Sequence, residues 1–148
     1  MTDPLTPAQR RRAMQAVRGK NTTPEMRLRR TLHARGLRFR LHRRDLPGSP
    51  DLVLARFGAA IFVHGCFWHR HPGCRYATTP ATRTEYWAPK FAGNVARDHA
   101  AIDALRARGW RVGVVWECAL RARAAPATAA ALDDWLRGAA ATLEMPQP

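Results

Sequence analysis

Lysine is nearly missing from this chain: Lys20 and Lys90 are its two copies, and arginine supplies the rest of the 25 basic side chains. Acidic residues are also scarce, 11 in 148, which leaves a formal net charge of +14 at neutral pH. Cysteine occurs three times, an odd and low count that excludes the disulfide framework of small secreted scaffolds. No stretch approaches the roughly 20 consecutive apolar residues of a membrane span, and the N-terminus from Met1 to Pro4 lacks the apolar core of a signal peptide. The expectation from these absences is a cytoplasmic protein.

What is present is one domain's worth of core. With 46% hydrophobic residues, a chain of this length buries enough surface to fold without staples and leaves no room for a second catalytic domain. Guanidinium forks suit phosphate oxygens, so the arginine excess points towards nucleic acid. A GC-rich genome would inflate Arg and Ala equally well, and the Ala-rich segment from Ala124 to Ala131 fits that explanation. Charge alone therefore leaves nucleic-acid binding and a merely solvated basic surface both open.

Three regions are expected. Residues 1–20 form a basic arm, with Pro7 in a first helical turn, Arg10, Arg11 and Arg12 along it, and Gly19 ending it. Residues 21–123 form the core. Thr22 to Glu25 has the spacing of a capping box opening a helix that runs through Leu28 and Leu32 to Gly36. Three short strands follow, around Phe39 to Leu41, Asp51 to Leu54 and Ala59 to Val63. A helical zone over residues 83–108, broken near Pro89 or Gly93, leads to a returning strand from Arg111 to Trp116, which favours a parallel crossover in a mixed sheet. Residues 124–148 form a C-terminal helix or tail, the helix being placed over residues 127–143.

Residues 65–80 have no period and are too long for a passive turn. Cys66, His71 and Cys74 fall within nine residues there, and Cys118 follows the returning strand, which could carry it back to the loop. Three cysteines and a histidine make a closed structural-zinc set; the alternative is a buried Cys118 and free loop thiols. Asp51 at a strand start is a candidate Mg2+ carboxylate, with His64 or His69 nearby to deprotonate water. Taken singly, Asp51 also reads as a turn residue, each histidine as a satisfied polar side chain, and Glu25 as a helix cap. Phe67 and Trp68 sit between metal-type ligands, so one of them is expected to be exposed or to line a cleft, suited to base stacking; Trp87 either joins them or packs in the core.

Five ordered blocks make the string specific: Pro50-Asp51, the run from Ile61 to His69 with His71 and Cys74, the run from Pro80 to Trp87, the run from Asn94 to Asp98, and Gly109 to Val112 followed by Val115 to Leu120. Together they resemble the very short patch repair endonucleases over about residues 8 to 123. The resemblance implies an α/β, restriction-endonuclease-like core, a mixed β-sheet flanked by helices, with a zinc-braced loop. It implies a monomeric DNA mismatch endonuclease that nicks one strand 5′ of the thymine in a T:G mismatch, the lesion left by deamination of 5-methylcytosine, with mismatch-repair proteins as possible partners. On that pattern Asp51 holds Mg2+ with help from the main chain of Val63, His69 is the general base, and Asp98 orients it. His64 and Glu25 support the hydrated metals and phosphate. Cys66, His71, Cys74 and Cys118 hold Zn2+; Phe67, Trp68 and Trp87 form a DNA wedge, with Met14 pressing from the opposite groove. Two features depart from a wider pattern: Phe62 and His64 stand where the broader nuclease superfamily places an acid and a lysine, and Pro72-Gly73 separates His71 from Cys74. The competing readings are a restriction-type nuclease cutting matched DNA and a non-catalytic zinc-loop DNA-binding module.

Overall fold

The computed structural model describes residues 21–148. The basic arm expected over residues 1–20, Met14 included, lies outside the described residues. Helix α1 (Thr23–Ala34) opens where the capping pattern places it: the Thr22 hydroxyl accepts from the Glu25 backbone N–H at 3.4 Å, and Pro24 occupies the first turn. Its buried side, Glu25, Leu28 and Leu32, has helical spacing.

Strands β1 (Arg40–Leu41), β2 (Leu52–Leu54), β3 (Ala59–His64), β4 (Arg111–Trp116) and β5 (Thr142–Met145) form one five-stranded sheet in sequential order. The β1–β2 and β2–β3 pairs are antiparallel, whereas β3–β4 and β4–β5 are parallel. The parallel β3–β4 step requires a crossover, and helix α2 (Thr84–Ala107) supplies it. Alternate strand residues feed opposite layers. Leu52, Leu54, Ala59 and Ile61 pack with α1 and with helix α3 (Ala125–Arg137), while Val53, Ala60, Phe62 and Val112 pack against Leu105 of α2. Burial on both faces explains why β3 reads as an unbroken apolar run.

Two expectations need correcting. Helix α2 is continuous through Pro89 and Gly93. Pro89 is exposed, and the helical hydrogen bond that it cannot donate would end on the carbonyl of Glu85, a residue that is itself exposed to solvent. The helix placed over residues 127–143 ends at Arg137, with Gly138 extended, and the next segment becomes β5. There Leu143 and Met145 join the α1–α3 layer, whereas Glu144 reaches the Trp116 indole N–H at 2.8 Å. A four-residue edge strand is too short for its alternation to stand out beside a helical run.

The close approach of the turn before Asp51 to α2 depends on a glycine. Gly48 has φ +73, and a Cβ there would lie 2.5 Å from that of Ala101.

Candidate active site and metal centre

Strands β3 and β4 end, β2 begins and α1 begins at the same edge of the sheet, and a cleft of about 810 Å³ opens there. Ligand crevices of open α/β sheets lie beyond the carboxyl ends of parallel strands for this topological reason. Glu25, Asp51, Val63, His64, Trp68, His69 and Asp98 all line it.

Asp51 stands immediately before β2, and one carboxylate oxygen accepts the Val63 N–H at 2.7 Å. Its side chain keeps 24% of its exposure. Burial pushes its pKa up to about 6, although the Val63 N–H and the nearby Arg29 guanidinium pull it down. The protein thus holds a carboxylate whose charge it compensates incompletely.

Across the cleft, α2 delivers Asp98. Phe91, Asn94, Asp98, Ala101 and Leu105 recur at three- and four-residue steps, so the stripe that anchors the helix also carries the acid into the cleft. Asp98 and His69 Nδ1 lie 2.7 Å apart. With Nδ1 bonded to a carboxylate, Nε2 is the ring nitrogen left to accept a proton. His64 stacks on His69 at 4.1 Å between centroids and 6° between planes, and meets Trp116 edge-on at 5.2 Å. Burial drives its pKa down to about 3, the proximity of His69 adds to this, and Asp98 only partly opposes it. His64 is therefore a neutral ring in the physiological range, and its Nδ1 has no hydrogen-bond partner among the described residues.

Glu25 is 3% exposed, and its carboxylate binds the Arg29 guanidinium and His42 Nε2, the latter at 3.0 Å. His42 Nε2 is also 3.9 Å from Asp51. The capping alternative for Glu25 holds only for its backbone N–H; its carboxylate organises a polar cluster beside Asp51. Neither Arg29 nor His42 stands out in the sequence as a site residue. Arg29 does lie four residues after Glu25, a spacing that signals helical ion pairs. Asn94 is a further residue without an expected role: its side-chain amide donates to the Trp68 carbonyl at 3.0 Å and ties the loop to α2.

The loop after β3 gathers the second cluster. Ligand atoms of Cys66, His71, Cys74 and Cys118 all lie within 4.8 Å of one another, so this group could hold a metal ion. His71 Nδ1 is 3.7 Å from the Cys66 sulfur and 3.5 Å from that of Cys118. The cysteines are unbridged. Burial pushes the Cys66 thiol up to about 12 and raises Cys118. His71 stacks on Trp116 at 4.3 Å, so Glu144, Trp116 and His71 form a continuous buttress from β5 to the loop.

Phe67, Trp68, Trp87 and Phe91 form an aromatic cluster. Phe67 meets Trp68, Trp87 and Phe91 edge-on at 4.9, 5.7 and 5.2 Å. Trp68 lines the cleft while only 9% exposed, and Phe67 and Trp87 are half-buried.

A carboxylate facing a histidine–carboxylate pair in a broad cleft, on a mixed sheet in an arginine-rich chain, has the makings of a nuclease acting on DNA. The family model described as DNA mismatch endonuclease Vsr matches residues 2–75. The DNA mismatch endonuclease Vsr of Escherichia coli (strain K12) is 42% identical over 148 residues, covering 98% of this chain and 94% of that protein. The type II nicking enzyme V.XorIIP of Xanthomonas oryzae pv. oryzae is 56% identical over 120 residues, 81% of this chain and 88% of the relative. V.NmeAIP of Neisseria meningitidis, another type II nicking enzyme, is 36% identical over 124 residues, 84% of this chain and 88% of the relative. The chain belongs to the DNA mismatch endonuclease Vsr family.

Proposed function

We propose that this protein nicks one DNA strand 5′ of the thymine in a T:G mismatch left by deamination of 5-methylcytosine, and so initiates very short patch repair. The observation that carries the reading is the His69–Asp98 pair opposite Asp51 in one cleft, on a chain of this family. Asp98 holds His69 with Nε2 able to take a proton from water, and His64 fixes the plane of that ring by stacking. Asp51, with the main chain of Val63, would hold Mg2+; the fit is that of a hard oxygen donor, largely buried, whose charge lacks full compensation. When bound, the ion supplies positive charge at the scissile phosphate. Glu25 acts through Arg29 and His42, setting the surroundings of Asp51.

Zn2+ suits the Cys66, His71, Cys74 and Cys118 set. Tetrahedral Zn–S and Zn–N bonds of about 2.3 and 2.05 Å imply a sulfur–nitrogen edge of about 3.6 Å. Its counterparts here are the 3.5 and 3.7 Å separations at His71. Phe67, Trp68 and Trp87 serve as a wedge that exploits the cheaper unstacking of a mispaired base, with Met14 on the opposite groove. The sheet with its acid before β2 is read as a restriction-endonuclease-like core, working as a monomer in the cytoplasm with mismatch-repair proteins as partners.

The test is incubation with Mg2+ and end-labelled duplexes differing only in a T:G or a C:G pair. Selective cutting of one strand of the T:G duplex is expected. Equal cutting of both duplexes supports the restriction-type alternative, and binding without cutting supports the non-catalytic one; either overturns the proposal.

A further inference from the structure

In an arginine-rich protein that acts on DNA, an arginine directly after the candidate base is the obvious choice for a phosphate contact. Arg70 is bound otherwise. Its guanidinium donates four hydrogen bonds within the loop: to the carbonyls of Phe67 at 3.2 Å, Thr78 at 2.9 Å and Ala77 at 3.1 Å, and to the Thr79 hydroxyl at 3.1 Å. Its central carbon also lies 4.2 Å from the ring centroid of Phe91 and 5.7 Å from that of Phe67. The backbone at Arg70 is left-handed, at φ +55, an uncommon conformation for a residue with a side chain, and that side chain reaches across the loop to residues 77–79.

We propose that Arg70 is a positioning residue for the aromatic wedge: it clamps the two limbs of the metal loop together and closes the Phe67–Phe91 cluster on one side. The inference rests on the reading of Phe67, Trp68 and Trp87 as a wedge. A wedge on a yielding loop would deform instead of the base stack, so the strain of insertion reaches the DNA only if the loop is held on both sides of Phe67 and Trp68. The metal ligands Cys66, His71 and Cys74 hold the loop near its start and middle, and Arg70 joins that part to residues 77–79 beyond them. Lysine cannot replace it, because an ammonium has no planar fork to reach several carbonyls while stacking on a ring.

The test compares wild type, Arg70→Lys and Arg70→Ala. Amide hydrogen exchange is followed across residues 67–79 in the free protein. Nicking of T:G and C:G duplexes gives kcat and KM, and binding to a matched duplex is titrated with salt. Both variants should exchange at least tenfold faster in that segment. Both should lose about tenfold to a hundredfold of their T:G preference, in kcat more than KM, as expected when a positioned group slips. Their metal content and salt dependence should remain those of the wild type. Wild-type behaviour of Arg70→Lys overturns the proposal, as does a drop of about one in the slope of log affinity against log salt for Arg70→Ala, the mark of a lost phosphate contact. Loss of metal from Arg70→Lys also overturns it, in favour of a role confined to the metal centre. If wild type itself shows no T:G preference, the mismatch reading fails, and the exchange comparison still decides the clamp.

Discussion

Replacing Asp51 by Asn should make the magnesium-free protein more stable while abolishing metal-dependent nicking. Burial moves the Asp51 pKa from 3.8 to about 6, roughly two units, and at about 1.4 kcal/mol per unit the folded state loses about 3 kcal/mol by holding this carboxylate ionised. Its 24% side-chain exposure brings the expected cost nearer to about 2 kcal/mol, because solvent screens part of the charge. The folded protein binds this proton more tightly than the unfolded chain does. Stability therefore falls as pH rises from about 3.8 to about 6, and the full cost applies above that window. Asparagine keeps the shape, leaves an oxygen for the Val63 N–H, and removes the charge; Arg29 retains Glu25 as its partner. At about 2–4 °C per kcal/mol for a chain of this size, Asp51→Asn should raise Tm by about 4–8 °C at pH 7 in magnesium-free buffer. The gap should close near pH 4. Added Mg2+ should then stabilise the wild type alone, since mass action favours only the form that binds it. Thermal denaturation across pH 4 to 7.5, with and without Mg2+, makes the comparison. A lower Tm for Asp51→Asn at pH 7, or a gap independent of pH, would refute the burial account.

Three further outcomes are expected from the same geometry. Asp98→Asn should lower kcat by about 10²–10⁴ while leaving DNA affinity nearly unchanged, because it disturbs the tautomer and aim of His69; single-turnover nicking beside a binding titration checks this. Cys118→Ser should cost the protein its bound metal together with thermal stability, read by metal analysis and a melting scan, and full metal retention would remove Cys118 from the ligand set. Gly48→Ala should destabilise by about 2–3 kcal/mol, since its Cβ would meet that of Ala101 at 2.5 Å on a left-handed backbone; an unchanged Tm would show that the turn before Asp51 relaxes freely.

The sequence makes the site's rare chemistry legible and its common chemistry invisible. Cysteines are few, so Cys66, Cys74 and Cys118 with His71 form a pattern that spacing can expose, and the fold does bring their ligand atoms together. Asp51 and His69 are candidates from their positions but gain a definite role only through the family motifs, and Asp98 is singled out by those motifs alone, because a lone acid or histidine fits many local roles. Arg29, His42 and Arg70 carry no comparable signal. In a chain with 25 basic residues, an arginine spent on a carboxylate or on loop carbonyls looks in one dimension like an arginine facing solvent. The fold was readable where a helical period or an unbroken apolar run extended far enough, as in α1, β3 and β4. It was misread at β5, where four residues come after a stronger helical pattern, and at Pro89, where an exposed helix face tolerates the missing hydrogen bond.

The two clusters are not independent. Cys66 and His71 bracket Phe67, Trp68 and His69 in the chain, so a metal held by the cysteine–histidine cluster would fix the proposed wedge and the candidate base together. Trp116 contacts both sides of that arrangement, stacking on His71 and meeting His64 edge-on, while Glu144 holds its indole from β5. From α2, Asn94 ties down the Trp68 carbonyl and Asp98 ties down His69, one turn apart on a single helix face. A displacement of Phe67 and Trp68 therefore moves the loop backbone that carries His69, and His69 cannot keep its bond to Asp98 if the loop lifts from α2. On the proposed reading, a matched pair that refuses the wedge also withholds the geometry needed for cutting. Specificity then belongs in kcat rather than in affinity, with the arginine-rich surface supplying a salt-sensitive attraction common to all duplexes.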